Sequence, residues 1–232
     1  MNRTPFAEGE WYHCYNRGVE KRRIFENTKD YERFLMLLYV CNSQKRIHLS
    51  DFGRSGQGPT LTEVWAAERG APLVDVGGFC IMSNHFHLLL RPAVEKGIPL
   101  FMQKLATGYS MYFNKKNERS GTLIQGKFKS RLIDTDAYFR RVFNYIHANP
   151  AELYEPGWKQ GRIKDEKGLK KKLQTYPFSS LSTYLENKPH PVVNSAAIVE
   201  MLEKLPTLDD LLEEARIFAK ETSGQGRTLP TV

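Results

Sequence analysis

Two histidines separated by a single residue, His85 and His87, lie inside the apolar run CIMSNHFHLLLRP, residues 80–92. In an extended strand residues i and i+2 share a face, so both imidazoles project from one side while Phe86 and Leu88 project from the other. An imidazole taken out of water must find a partner. Two such rings can hold one divalent cation between them, provided that each ring's second nitrogen is bonded elsewhere and a further ligand arrives from another element. A bare H-x-H is more often a pair of satisfied core histidines. Its apolar, strand-like surroundings and a suitable partner helix favour the metal reading here.

That helix is DTDAYFRRVFNYIHANP, residues 134–150. Asp134 or Thr135 caps its start and Asn-Pro stops it. Tyr138, Phe139, Val142, Phe143 and Ile146 form the core stripe, with Tyr145 on its shoulder and Asn149 one turn further on the same side. From that shoulder a phenol can reach a substrate and an amide oxygen a metal. Magnesium prefers oxygen ligands and manganese tolerates imidazole, so Mg2+ or Mn2+ with retained water is expected, zinc being the competing assignment by ligand type. Of the other histidines, His13 either supports the metal ligands or bonds within the core, and His147 falls on the far shoulder as a structural or backbone-contacting residue.

The elements that must position these groups follow from periodicity and turn residues. Residues 10–16 read as a strand, and a helix begins after Asn27 or Thr28. A glycine-rich insert, 51–59, leads into TLTE (60–63), a capping box that starts a short helix through Arg69. Strands at 73–82 and 85–91, a helix at 95–116 and a strand within 121–134 precede the tyrosine helix. The order β-α-β-β-α-β followed by a helix predicts an α+β, ferredoxin-like fold with an antiparallel sheet. Beyond Pro150, KQGRIKDEKGLKKK (159–172) reads as a basic arm or surface loop. YPFSSLSTYL (176–185) reads as a docking segment and short helix, residues 191–221 as two short helices, and the tail after Ser223 as disordered. The expected organisation is a nuclease-like domain over 1–152 with a helical extension, 153–222, packed on it.

Composition bounds the class. The 232 residues are 41% hydrophobic and 12% aromatic, which suits a folded globular chain. A net charge of +8 favours a polyanionic partner, nucleic acid first. The longest apolar run, FLMLLYVC, is too short to span a bilayer, and the N-terminus lacks the features of a secretory signal. Three widely spaced cysteines, Cys14, Cys41 and Cys80, fit reduced buried residues of a cytoplasmic protein.

Taken together, YHCYNRG (12–18), IFENTKDYERFL (24–35), MSNHFHLLLRP (82–92), GTLIQGKFKSRL (121–132), YFRRVFNYIHANPAE (138–152) and YPFSS (176–180) resemble the single-tyrosine HUH transposases, most closely the REP-associated tyrosine transposases. The resemblance implies that His85 and His87 are the metal-binding pair, that Asn149 is a further metal ligand and that Tyr145 is the nucleophile. It implies a single-stranded DNA endonuclease and strand transferase that cuts beside DNA hairpins through a 5′-phosphotyrosine. The chain is then expected to act as a monomer, with a dimer as the alternative. Arg17, Arg22, Arg23, Lys127, Lys129, Arg131, Arg140 and Arg141 are the cations expected to track the DNA backbone, and Tyr12, Tyr15, Phe113 and Phe128 the rings expected to stack on bases. The basic arm and YPFSS are expected to clamp the hairpin. Competing expectations are a hairpin-binding regulator without catalysis and a rolling-circle or relaxase-type nuclease.

Overall fold

The structure, a computed structural model, describes residues 6–53 and 58–224. Its centre is a sheet of four strands in the order β2-β3-β1-β4: β1 (Trp11–Arg17), β2 (Val74–Ile81), β3 (His85–Pro92) and β4 (Lys129–Ile133). Every neighbouring pair is antiparallel. With helices α1 (Thr28–Val40), α2 (Leu61–Trp65), α3 (Gly97–Lys116) and α4 (Asp136–Ala148), the order and pairing are those of the ferredoxin-like fold.

Strand alternation sorts side chains between two cores. Cys14, Phe86, Leu88 and Leu90 face α1 and α3, where Phe34, Leu38, Phe101, Leu105 and Tyr109 complete the first core. Trp11, Tyr15 and Leu89 face α4, packing with Phe139, Phe143 and Ile146 in the second. Sequence-coded caps start the helices. Asn27 caps α1 and is answered by Asp30, Thr60 caps α2 and is answered by Glu63, and Thr135 accepts from the Tyr138 amide at the start of α4. Helix α2 ends at Trp65, short of Arg69.

Beyond Pro150 come α5 (Ala151–Tyr154), α6 (Glu166–Gln174), α7 (Leu181–Leu185), α8 (Ala196–Leu202) and α9 (Leu208–Gly224). The stretch 159–172, expected to be a basic arm or surface loop, instead enters α6 at Glu166. Asp165 caps it, and Leu169 and Leu173, one turn apart, are buried beneath its lysines, so the charge run is the outer face of an amphipathic helix. YPFSS joins the sheet. The Ile81 amide donates to the Phe178 carbonyl at 2.9 Å, the Ser180 amide donates to the Phe79 carbonyl at 3.0 Å, and Ser179 bridges antiparallel to Cys80. Finally, α9 lies along α4, tied by Asn144 to Glu214 at 2.7 Å and by Arg141 to Glu221 at 3.0 Å. The tail expected beyond Ser223 lies, from residue 225 onward, outside the described residues. Among the described residues no helix is long and apolar enough to cross a membrane, and all three cysteines are buried and none is in a disulfide.

Candidate metal and tyrosine site

The register of β1 against β3 sets Arg17 opposite His85, Tyr15 opposite His87 and His13 opposite Leu89. His13, His85 and His87 therefore share the face that α4 covers, and all three are fully buried. Each ligand-type histidine is held by its Nδ1. That of His85 lies 2.6 Å from Asn84 Oδ1, while the same amide donates through Nδ2 to the Lys21 carbonyl. An amide oxygen only accepts, so His85 carries its proton on Nδ1 and turns a lone pair outward on Nε2. The Nδ1 of His87 lies 2.9 Å from Nε2 of His13. The Nε2 atoms of both His85 and His87 are buried without a partner.

Asn149 closes the set. As the C-cap of α4 it donates through Nδ2 to the Tyr145 carbonyl at 2.7 Å, which leaves its Oδ1 buried and unpaired. The amide lies against both the His85 ring and the Tyr145 hydroxyl. The Tyr145 ring stands edge-on to His87 at 5.6 Å between centroids and to His13 at 6.3 Å. The i, i+4 spacing of tyrosine and asparagine thus brings both to the histidine pair.

Burial drives His85 down to about 3, with Lys159 and Arg17 adding to the effect, and holds His87 well below the usual histidine range. Neutral imidazole is the form that coordinates a metal. Burial, reinforced by the charge of Glu152, raises the Tyr145 phenol, so in this arrangement it is protonated. Glu152 is itself paired with Lys159 at 2.7 Å.

Two imidazole nitrogens and an amide oxygen, all buried and without a hydrogen-bond partner, form a set that fits a divalent cation, because buried polar atoms seldom stay without partners. Among the described residues no group of three His, Cys, Asp or Glu side chains is arranged to hold an ion. The set therefore supplies no carboxylate charge, and its ligand types suit Mn2+ better than Mg2+.

The expected DNA-contacting cations divide. Arg17, Lys129 and Arg131 lie on the histidine side of the sheet, opposite His85, Tyr15 and His13 respectively. Arg17 Nε donates to Gln125 Oε1 at 2.6 Å, and Arg131 lies close to the Tyr15 hydroxyl. Lys127, Arg22 and Arg23 are exposed on the adjoining loops, Arg22 with Glu20 3.9 Å away. Arg140 is exposed on α4 and Arg141 is committed to Glu221 of α9, so the structure does not bring this pair to the histidines. Tyr12 and Phe113 are not available for stacking on bases, since both are buried in the core on the opposite face. Phe128 is partly buried and stacks on Phe6 at 6.3 Å. His147 is structural as expected, its Nδ1 at 2.8 Å from the Phe143 carbonyl and its Nε2 at 2.8 Å from Ser180 Oγ.

Several residues around the site were not singled out in the sequence. Asn84 was visible only as a turn residue, although an amide directly before the first histidine is a signal in itself. Lys159 and Glu152 were lost among other charges, and Phe218, whose ring lies 5.1 Å from Tyr145, belongs to a helix with no motif. A cavity of about 520 Å³ opens beside the site, lined by Arg131, Asp134, Tyr138 and Phe218 among others. A larger cleft of about 970 Å³, bordered by α1 and α3, contains none of the expected site residues.

Residues 61–149 match the family model of the IS200-like transposases. The matched segment, under half of the chain, contains His85, His87, Tyr145 and Asn149. No curated protein matches the chain. Among solved structures, a REP-associated tyrosine transposase bound to a REP hairpin aligns over 83% of this chain and 88% of that chain, with a TM-score of 0.49 and 12% sequence identity.

Proposed function

We propose that this chain is a metal-assisted endonuclease and strand transferase for single-stranded DNA, cutting beside hairpins through Tyr145. The observation that carries the reading is the meeting of three buried polar atoms without hydrogen-bond partners, His85 Nε2, His87 Nε2 and Asn149 Oδ1, with a phenol on the same helix as the amide. The transposase family matched by residues 61–149 agrees with it.

A divalent cation held by His85, His87 and Asn149 would neutralise phosphate charge and orient the group for in-line attack. Tyr145 Oη forms a bond to phosphorus while the bond from phosphorus to O3′ breaks. The phenol gives up a proton and the departing oxygen takes one up, leaving a 5′-phosphotyrosine and a 3′-hydroxyl. One ester replaces another, so a later 3′-hydroxyl can reseal the strand by the reverse exchange without a nucleotide cofactor. In this reading Arg17, Lys129 and Arg131, which share the histidine face of the sheet, hold the DNA backbone.

Tyr145 is only 1% exposed, and Phe218 is among the side chains that cover it. A strand can reach the hydroxyl only by displacing some of that cover. This closure favours a second reading, a hairpin-binding regulator that does not cut. One experiment separates the two: the protein is incubated with Mn2+ and single-stranded oligonucleotides bearing varied hairpins, then run on a denaturing gel. A protein–DNA adduct that disappears in Tyr145→Phe, with binding retained, supports the enzyme. Binding without adduct across the set supports the regulator.

A further inference from the structure

His13 takes no part in the chemistry above, yet it is fully buried on the histidine face and touches His87 through one nitrogen only. The two proposed ligands differ in what holds them. His85 faces an amide oxygen, which can only accept, so its tautomer is fixed by Asn84. His87 faces another imidazole, and an N···N contact of 2.9 Å has two solutions. If His13 donates, the His87 proton sits on Nε2 and no lone pair is offered to a cation. If His13 accepts, the proton sits on His87 Nδ1 and Nε2 becomes a ligand beside that of His85.

We propose that His13 is a positioning residue that accepts the Nδ1 proton of His87 and thereby sets the tautomer and ring orientation that make His87 a metal ligand. The inference rests on the metal-site reading above. The surroundings restrict His13 to this partner. Its ring is tilted against Tyr15 at 4.9 Å and lies beside His87 at 5.0 Å between centroids, and its Nδ1 has no partner. Arg131 stands opposite His13 on β4. The 2.9 Å contact with His87 is the hydrogen bond through which His13 acts on the site. Asn84, in the turn before β3, and His13, on β1, hold the two Nδ1 atoms, and both Nε2 atoms are left for the cation. Outer partners of this kind orient the ligand ring and raise its basicity.

Mn2+ alone is the probe, titrated calorimetrically into the full-length wild type and the variants His13→Phe, His13→Gln and His87→Ala. Phenylalanine keeps the ring shape without an acceptor, whereas glutamine restores an acceptor oxygen near the position of Nε2. The expected result is that His13→Phe weakens Mn2+ binding by about 10–100-fold and His13→Gln stays close to wild type. Binding lost in His87→Ala but kept in His13→Phe overturns the role of His13 alone, as does equal weakening in Phe and Gln, which would mark a packing effect. Wild-type binding unaffected by His87→Ala overturns the metal site itself, and this role with it. Should His13→Phe fail to fold, imidazole 15N spectra of the metal-free wild type decide. A proton on His87 Nδ1 shared with His13 Nε2 supports the assignment, and a proton on His87 Nε2 overturns it.

Discussion

Replacing His13, His85 and His87 together with leucine is expected to make the metal-free protein more stable, although all three are fully buried. Three imidazole nitrogens, His13 Nδ1, His85 Nε2 and His87 Nε2, are buried without partners, and each such atom costs about 1–3 kcal/mol. The substitution gives up two hydrogen bonds, His85 to Asn84 at 2.6 Å and His87 to His13 at 2.9 Å, each worth roughly 1 kcal/mol net. Asn84 Oδ1 also loses a partner, a penalty of similar size to one unpaired nitrogen. Leucine is close to histidine in volume, so little strain is added. The balance is a gain of about 2 kcal/mol, or roughly 4–8 °C in Tm for a chain of this size. Thermal melts after chelation with EDTA measure it, and a second set with Mn2+ asks whether the wild type alone recovers stability through binding. A metal-free triple variant several degrees less stable than wild type would refute the reasoning, because it would mean that those nitrogens were not a standing cost of the site.

Other expectations follow from the same geometry. Tyr145→Phe is expected to lose all covalent adduct but only about 1 kcal/mol of stability, since the ring contacts to His87 and Phe218 remain; urea titration measures the latter. Arg17→Ala and Arg131→Ala are each expected to weaken single-strand binding and reduce the salt slope by about one, while Arg141→Ala, which removes the contact to Glu221, leaves the slope unchanged. Gly77→Ala puts a Cβ within 2.7 Å of the Trp11 ring at the bulge in β2 and is expected to cost about 1–3 kcal/mol by prising α8 from the sheet. His190, packed on Phe79 and Trp65 at 5.2 Å each, is lowered by burial to about 4. Its unfolded form takes up a proton first, so its contribution is whole above the ordinary histidine pKa of about 6.5 and is lost as pH falls toward 4. Melts at neutral and mildly acidic pH are expected to show a smaller acid loss in His190→Phe than in wild type.

The site was legible where a short local pattern determines geometry. Strand alternation alone put His85 and His87 on one face, and helical spacing alone put Asn149 one turn beyond Tyr145. What those patterns could not supply was the third dimension. Whether His13 lies near His87 depends on the β1–β3 register, which is fixed by apolar pairing along the whole strand. The depth of Tyr145 depends on α9, more than sixty positions further along the chain. The misreadings share a cause. In 159–172 the lysines outweighed Leu169, whose spacing from Leu173, just beyond that stretch, carried the helix. Tyr12 and Phe113 were judged by ring type, although alternation along β1 had already assigned Tyr12 to the face away from the histidines.

The outer strands differ in how they are finished. On one side β4 is five residues long and carries Lys129 and Arg131; on the other, residues 178–180 lie along β2 and occupy its backbone groups. Truncation after residue 152, the boundary expected from the sequence, strips away that covering strand. The fragment would be left with an uncovered, strongly apolar ribbon inviting pairing between molecules. Shortened versions intended for crystallisation or assay are therefore expected to precipitate unless the segment through Ser180 is kept.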